Sequence, residues 1–165
     1  MQIINTILKN VEYKEYNNMS KLLECLKNME KKTYKSSRKN ALDYSIHAVN
    51  DENQNVVVLF SSGSRVDLSF KAFNTIIDYL VQNSNRFVRI GSTLEPSVDS
   101  DTLEYVIQKL DPDKKTHTKR AVHICDILCE CRFVEYGSAV NPKTQHNNQA
   151  VKWKKVRNSR ENNAR

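Results

Sequence analysis

Apolar residues recur at helical spacing from the N-terminus to about residue 30. Ile4, Ile7, Leu8 and Val11 form one stripe, and Met19, Leu22, Leu23, Leu26 and Met29 form a second. Residues 1–34 are therefore predicted to be helical, in two amphipathic segments. The break falls near Tyr16-Asn17-Asn18, with Asn18 or Ser20 available as a cap. Lys31 to Asn40 is basic and polar and reads as a connector. The period then changes. Leu42, Tyr44, Ile46 and Ala48 alternate with Asp43, Ser45 and His47, the pattern of a half-buried strand. After the polar turn Asn50 to Asn55, the β-branched run Val56 to Phe60 pairs back as an antiparallel hairpin, closed by Ser61 to Ser64.

From Ser69 the helical period returns. Phe70, Phe73, Ile76, Ile77 and Leu80 define an amphipathic helix, with Asp67 or Ser69 as its N-cap and Asn83-Ser84-Asn85 as its end. Arg86 to Ile90 is a short strand stopped by Gly91. Pro96 to Ser100 leads into a second helix carrying Leu103, Val106, Ile107 and Leu110, which Asp111-Pro112-Asp113 terminates. Thr116 or Thr118 can cap a third helix, with Ala121, Ile124, Ile127, Leu128 and Cys131 as its buried stripe. Arg132 to Tyr136 is a strand, Gly137 to Gln149 a polar loop, and Val151 and Trp153 alternate with Lys152 and Lys154 in a last strand. The tail from Arg157 has no apolar residue beyond Ala164 and is expected to be disordered. The pattern describes an α+β chain in four parts: a helical segment with its connector (1–40), a β-hairpin (41–68), a mixed domain (69–156) and a basic tail (157–165).

Composition narrows the function classes. With 39% hydrophobic and 27% charged residues, the 165-residue chain can build a core. It has no apolar run of the roughly 20 residues that span a bilayer, so no membrane partner is expected. Three glycines make a glycine-cradled nucleotide loop improbable, and no cofactor is expected. The N-terminus lacks a signal peptide, so an intracellular, reducing compartment is the default for the four cysteines. The net charge of +7 is segregated: +5 over residues 1–40, −6 over 41–113 and +8 over 114–165. A basic end on an acidic middle suits a polyanion, because neutralised phosphates release counterions.

The order helix, short strand, helix, helix, strand, loop, strand over residues 69–156 resembles the winged helix-turn-helix domain, a widespread DNA-binding fold. The third helix runs directly into Cys131-Arg132-Phe133-Val134-Glu135-Tyr136, and the closing strand alternates Val151 and Trp153 with lysines. Within that family, Lys119-Arg120 and Trp153-Lys154 look most like cell-cycle transcription factors of the DP-partnered kind, which carry Arg-Arg-x-Tyr-Asp at this point. Here the basic pair is kept, but Ala121-Val122-His123 follows and the Tyr-Asp is lost.

The resemblance implies double-stranded DNA as partner and regulation of transcription as role, without enzymatic activity. Its third helix would enter the major groove by its N-terminal end, where free N–H groups and the helix dipole favour anions. Lys114, Lys115, His117, Thr118, Lys119 and Arg120 lie at or before that end, with His123 on its flank. Lys143 and His146 would sit on the wing, and Lys152, Lys154, Lys155, Arg157 and Arg160 would add phosphate contacts. One feature opposes this. At 100° per residue, the face opposite the buried stripe carries Lys119, Val122, Asp126 and Glu130, two of them acidic. A winged helix used as a protein-interaction module in a larger complex is the competing expectation. The N-terminal stripes are the expected interface should the chain pair with a second copy or another protein.

Two further chemistries lack the residues they need. His123, Cys125, Cys129 and Cys131 do not converge on one helix face, so no zinc site is expected. Pro112-Asp113-Lys114-Lys115 lacks the spaced carboxylate and lysine of a metal-dependent nuclease, and no catalytic residues are assigned.

Overall fold

The computed structural model describes residues 18–36, 42–91, 101–109 and 120–154. Helix α1 covers residues 18–29 of this set. Four strands follow: β1 (Thr33–Tyr34), β2 (Tyr44–Asn50), β3 (Asn55–Phe60) and β4 (Arg65–Ser69). Then come α2 (Phe70–Gln82), β5 (Val88–Arg89), α3 (Leu103–Gln108), α4 (Arg120–Glu130), β6 (Val134–Val140) and β7 (Asn147–Trp153). The chain is α+β, with two antiparallel sheets of strand order β1-β2-β3-β4 and β5-β7-β6.

The expected hairpin is the centre of a larger sheet. Within the predicted connector, Thr33 and Tyr34 pair with Ser45 and Tyr44. The turn after Phe60 does not end the sheet but feeds β4, so Asp67 is a strand residue rather than a cap. Strand β2 carries a bulge between Ile46 and Ala48, which leaves His47 exposed. Leu42, expected inside, is half exposed. Val56, Val57 and Val58 are all buried, so β3 is covered on both faces, as its continuous apolar run suits.

Helix α2 bridges the two sheets, packing on β4, α3 and β7. Ser69 caps it by accepting a bond from the Ala72 amide at 3.1 Å, and the Asn83 side chain closes it by donating to the Tyr79 carbonyl at 2.8 Å. Its predicted stripe is buried from Phe70 to Leu80. Each large side chain of such a stripe contributes about 1.5–3 kcal/mol by leaving water. Thr102 caps α3 and also bridges to Arg89, which ties that helix to β5. Gly91, at φ +98°, ends β5 where a Cβ would strike the Thr102 side chain.

The second sheet is built on a longer hairpin than expected. Most of the predicted polar loop is strand, and only residues 141–146 turn between β6 and β7. That turn is held by Asn141, whose carbonyl accepts from the Gln145 amide and whose side chain accepts from the Lys143 amide. One contiguous core joins the two halves, running from Leu22 and Leu26 of α1 through Phe73 and Ile124 to Val151 and Trp153.

Candidate nucleic-acid interface

Helix α4 carries the predicted buried stripe: Ala121, Ile124, Ile127 and Leu128 have no exposed surface. Its other face departs from expectation. Val122 is 8% exposed and Asp126 only 2%. The Asp126 carboxyl accepts hydrogen bonds from Ser36 Oγ and from the Tyr136 hydroxyl, each at 2.6 Å. The His123 ring packs on Phe60 of β3 at 4.7 Å between centroids. The middle of the face expected to meet DNA is thus closed from within: Ser36 and Phe60 reach Asp126 and His123 from the N-terminal part, Tyr136 reaches Asp126 from β6, and Val122 lies beside Ile90, Gly91, Asn148 and Gln149. The objection raised by two exposed carboxylates falls away for Asp126, because that carboxylate is inside; Glu130 remains exposed.

The N-terminal end of α4 has likewise been claimed from within. Glu104, 2% exposed on α3, accepts from the Ala121 amide through Oε2 at 2.8 Å. A carboxylate already answers the positive end of the helix dipole, so a phosphate brought there would be repelled. Arg120 is half-buried, with Nε and Nη2 enclosed and lacking a hydrogen-bond partner among the described residues.

The Tyr34 and Tyr44 rings form a tilted pair, with centroids 5.8 Å apart. Burial, then the nearby Asp126 and Glu130, hold the Tyr44 hydroxyl far above the ordinary phenol range. Tyr34 is pushed up too, by burial first and Glu130 second. The Tyr44 hydroxyl has no hydrogen-bond partner among the described residues.

Sulfur chemistry joins the same junction. Cys25 of α1 and Cys131, one residue past α4, form a disulfide across a sequence separation of 106. Met29 Sδ lies 3.6 Å from Cys131 Sγ and 3.9 Å from Cys25 Sγ. Cys131 therefore does not extend the buried stripe as predicted. It is half-buried and committed to α1, while Cys125 and Cys129 are not disulfide-bonded. Cys25 sits one turn before Met29 on the flank of its stripe, so its partial burial was legible from spacing; its partner was not.

The remaining predicted contacts divide by position. Lys114, Lys115, His117, Thr118, Lys119, Lys155, Arg157 and Arg160 lie outside the described residues. Lys143 and His146 are exposed on the β6–β7 turn. Lys152 and Lys154 lie at the other end of that hairpin, where they line a shallow cleft with Ser84, Asn85, Glu135 and Trp153. Lys152 also approaches the Phe87 ring, 5.8 Å from its centroid, and faces Glu135 across the strand pair. From His146 to Lys152 the strand spans roughly 20 Å at about 3.3 Å per residue. Between them, Asn147 and Gln149 present exposed amides. The second N-terminal stripe is consumed internally, since Leu22, Leu26 and Met29 are buried in the chain's own core; the first stripe lies outside the described residues. No helix among the described residues is long and apolar enough to cross a membrane. Comparison with protein families, curated proteins and solved structures gives no match.

Proposed function

We propose that this chain is a winged-helix protein that binds double-stranded DNA through its β6–β7 hairpin and basic C-terminal end, with regulation of transcription as the role such binding serves. The element order and the sheet order β5-β7-β6 support the winged-helix reading. The observation that carries the binding surface is the exposed hairpin, with Lys143 and His146 at its tip and Lys152 and Lys154 at its base. Lysines and amides spaced along one ribbon suit phosphates, which position a protein without reading bases. In this conformation α4 does not enter the major groove, because its outer face and its N-terminal end are both occupied.

The test is duplex DNA binding by fluorescence anisotropy across a salt series. Each lysine that neutralises a phosphate contributes about 0.9 to the log–log salt slope. Lys143→Ala, Lys152→Ala and Lys154→Ala should each lower that slope, whereas Arg120→Ala should leave it unchanged in the oxidised chain. Absence of binding at low salt would sink the reading. The burial of the α4 outer face by protein favours a second one, a winged helix that serves protein contacts. That second reading then stands.

A further inference from the structure

We propose that the Cys25–Cys131 disulfide is a reversible latch that holds the N-terminal helix and sheet over α4. Three observations converge on it. The bond joins α1 to the residue that follows α4, so it ties the cover to the helix it covers. Both cysteines are half-buried rather than sealed in the core, so a thiol can reach them. Beside the disulfide, at the margin of the shared core, this boundary carries polar and aromatic contacts: the Ser36–Asp126 hydrogen bond and the Phe60–His123 ring contact. Local opening of such a boundary is the ordinary behaviour of a folded chain, and a cross-link across it suppresses the opening.

The chemistry closes with a dithiol reductant or a small-molecule disulfide oxidant. In reduction, a thiolate of the dithiol attacks one sulfur and forms a mixed disulfide, releasing the other cysteine as thiolate. The second thiol of the reductant then attacks the first reductant sulfur, which releases the remaining protein cysteine as thiolate and leaves the reductant in its oxidised, cyclic form. Two electrons pass to the protein and two protons finish on Cys25 and Cys131. Oxidation by a disulfide reverses each step. In a reducing compartment, disulfides of this kind are usually transient or redox-sensing.

Cys129 reports the state of the latch without any added label. It is half-buried, forms no disulfide, and stands two residues before Cys131, at the end of α4 to which the cover is tied. Lifting the cover exposes it. The latch stands independently of the DNA reading. Its consequence, that the open form offers α4 to a duplex, rests on that reading.

The experiment alkylates the full chain with iodoacetamide and follows Cys129 by peptide mass spectrometry. Three forms are compared: the chain oxidised with glutathione disulfide, the chain reduced with dithiothreitol, and Cys25→Ser plus Cys131→Ser. Reduction or the double substitution should speed Cys129 alkylation about tenfold or more, while hydrogen exchange in β6 and β7 stays unchanged. Equal Cys129 rates in the oxidised and reduced chains overturn the latch, as does recovery of Cys25 and Cys131 as free thiols after oxidation. Should the double variant fail to fold, the reduced wild-type chain carries the test alone. The same samples are then titrated with a duplex: the reduced chain should bind more tightly and gain a dependence on Arg120 that the oxidised chain lacks. A faster Cys129 with no DNA binding in any form supports the latch and sinks only the DNA reading.

Discussion

The two faces of α4 are closed by different chemistry. Ile124, Ile127 and Leu128 lie in the shared hydrocarbon core, where α3 and β6 pack on the helix, and none of them is exposed. On the other side, Asp126 accepts from the Ser36 and Tyr136 hydroxyls, His123 packs on Phe60, and a disulfide ties the chain just past the helix to α1. Hydrocarbon burial has no substitute in water. A hydroxyl–carboxyl hydrogen bond does, so its net contribution is about 0.5–1.5 kcal/mol for neutral partners and roughly 1.5–3 with a charged one. The inner face therefore belongs to the core that fixes the fold, and the outer contacts add to that core in seating the N-terminal part on α4.

The largest expected effect breaks the inner face. Ile124→Ala should cost about 3–4 kcal/mol, from lost transfer energy and the cavity left in a core that cannot collapse around it. Urea denaturation measures it. A loss under about 1 kcal/mol would mean that the inner face is loosely packed, and the contrast between the faces would disappear.

Asp126→Ala probes the outer face and should cost less, about 2 kcal/mol, because Ser36 and Tyr136 are half-buried and can turn to water. Asp126→Asn keeps an acceptor and should recover part of that loss. The distinguishing readout is local. Asp126→Ala should raise hydrogen exchange in β1 and β2 more than in β6, whereas Ile124→Ala should raise it throughout. Uniform exchange in both variants would show the outer contacts to be as deeply coupled as the core.

The same contrast explains what could be read from the sequence. The inner stripe of α4 and the stripe of α2 were legible because a 3.6-residue period records which side of a helix faces a core. The period does not record a second neighbour. Ser36 and Phe60 reach Asp126 and His123 from at least 60 positions earlier in the chain, and Ile90, Gly91, Asn148 and Gln149 lie beside Val122, none of which the period of α4 can show. Strand β1 was missed because two residues in a polar stretch show no alternation. In β4 the signal was present, since Val66 and Leu68 alternate with Arg65, Asp67 and Ser69, but it was absorbed into the following helix cap. The strands around the hairpin turn show no clear alternation, because Ser138, Asn147 and Gln149 make one face polar while Gly137, Ala139 and Asn148 on the other are small or polar. Lys143 and His146 were placed at the turn correctly, as it depends on Asn141-Pro142 and local hydrogen bonds. Glu104 was passed over as a partner for α4, although it stands three residues before Ile107, on the side of α3 that must be buried.

The smallest effect separates two tyrosines at one junction. Tyr136 donates to Asp126, whereas the Tyr44 hydroxyl has no hydrogen-bond partner among the described residues. Tyr44→Phe should therefore change stability at neutral pH by under about 1 kcal/mol, and a gain is as consistent as a loss, because a buried unmatched hydroxyl is removed. Its signature is in alkali. Burial, then Asp126 and Glu130, raise the folded-state pKa of Tyr44 above the unfolded value near 10. Below that value both states keep the proton and the Tyr44 contribution is fully present. As pH rises past it, the unfolded chain releases the proton while the folded chain does not, so stability falls. Urea midpoints measured at neutral pH and above about pH 10 should show a decline for the wild-type chain that is shallower in Tyr44→Phe. Equal slopes would mean that the Tyr44 hydroxyl ionises freely in the folded chain. The cover over α4 would then already be open to water.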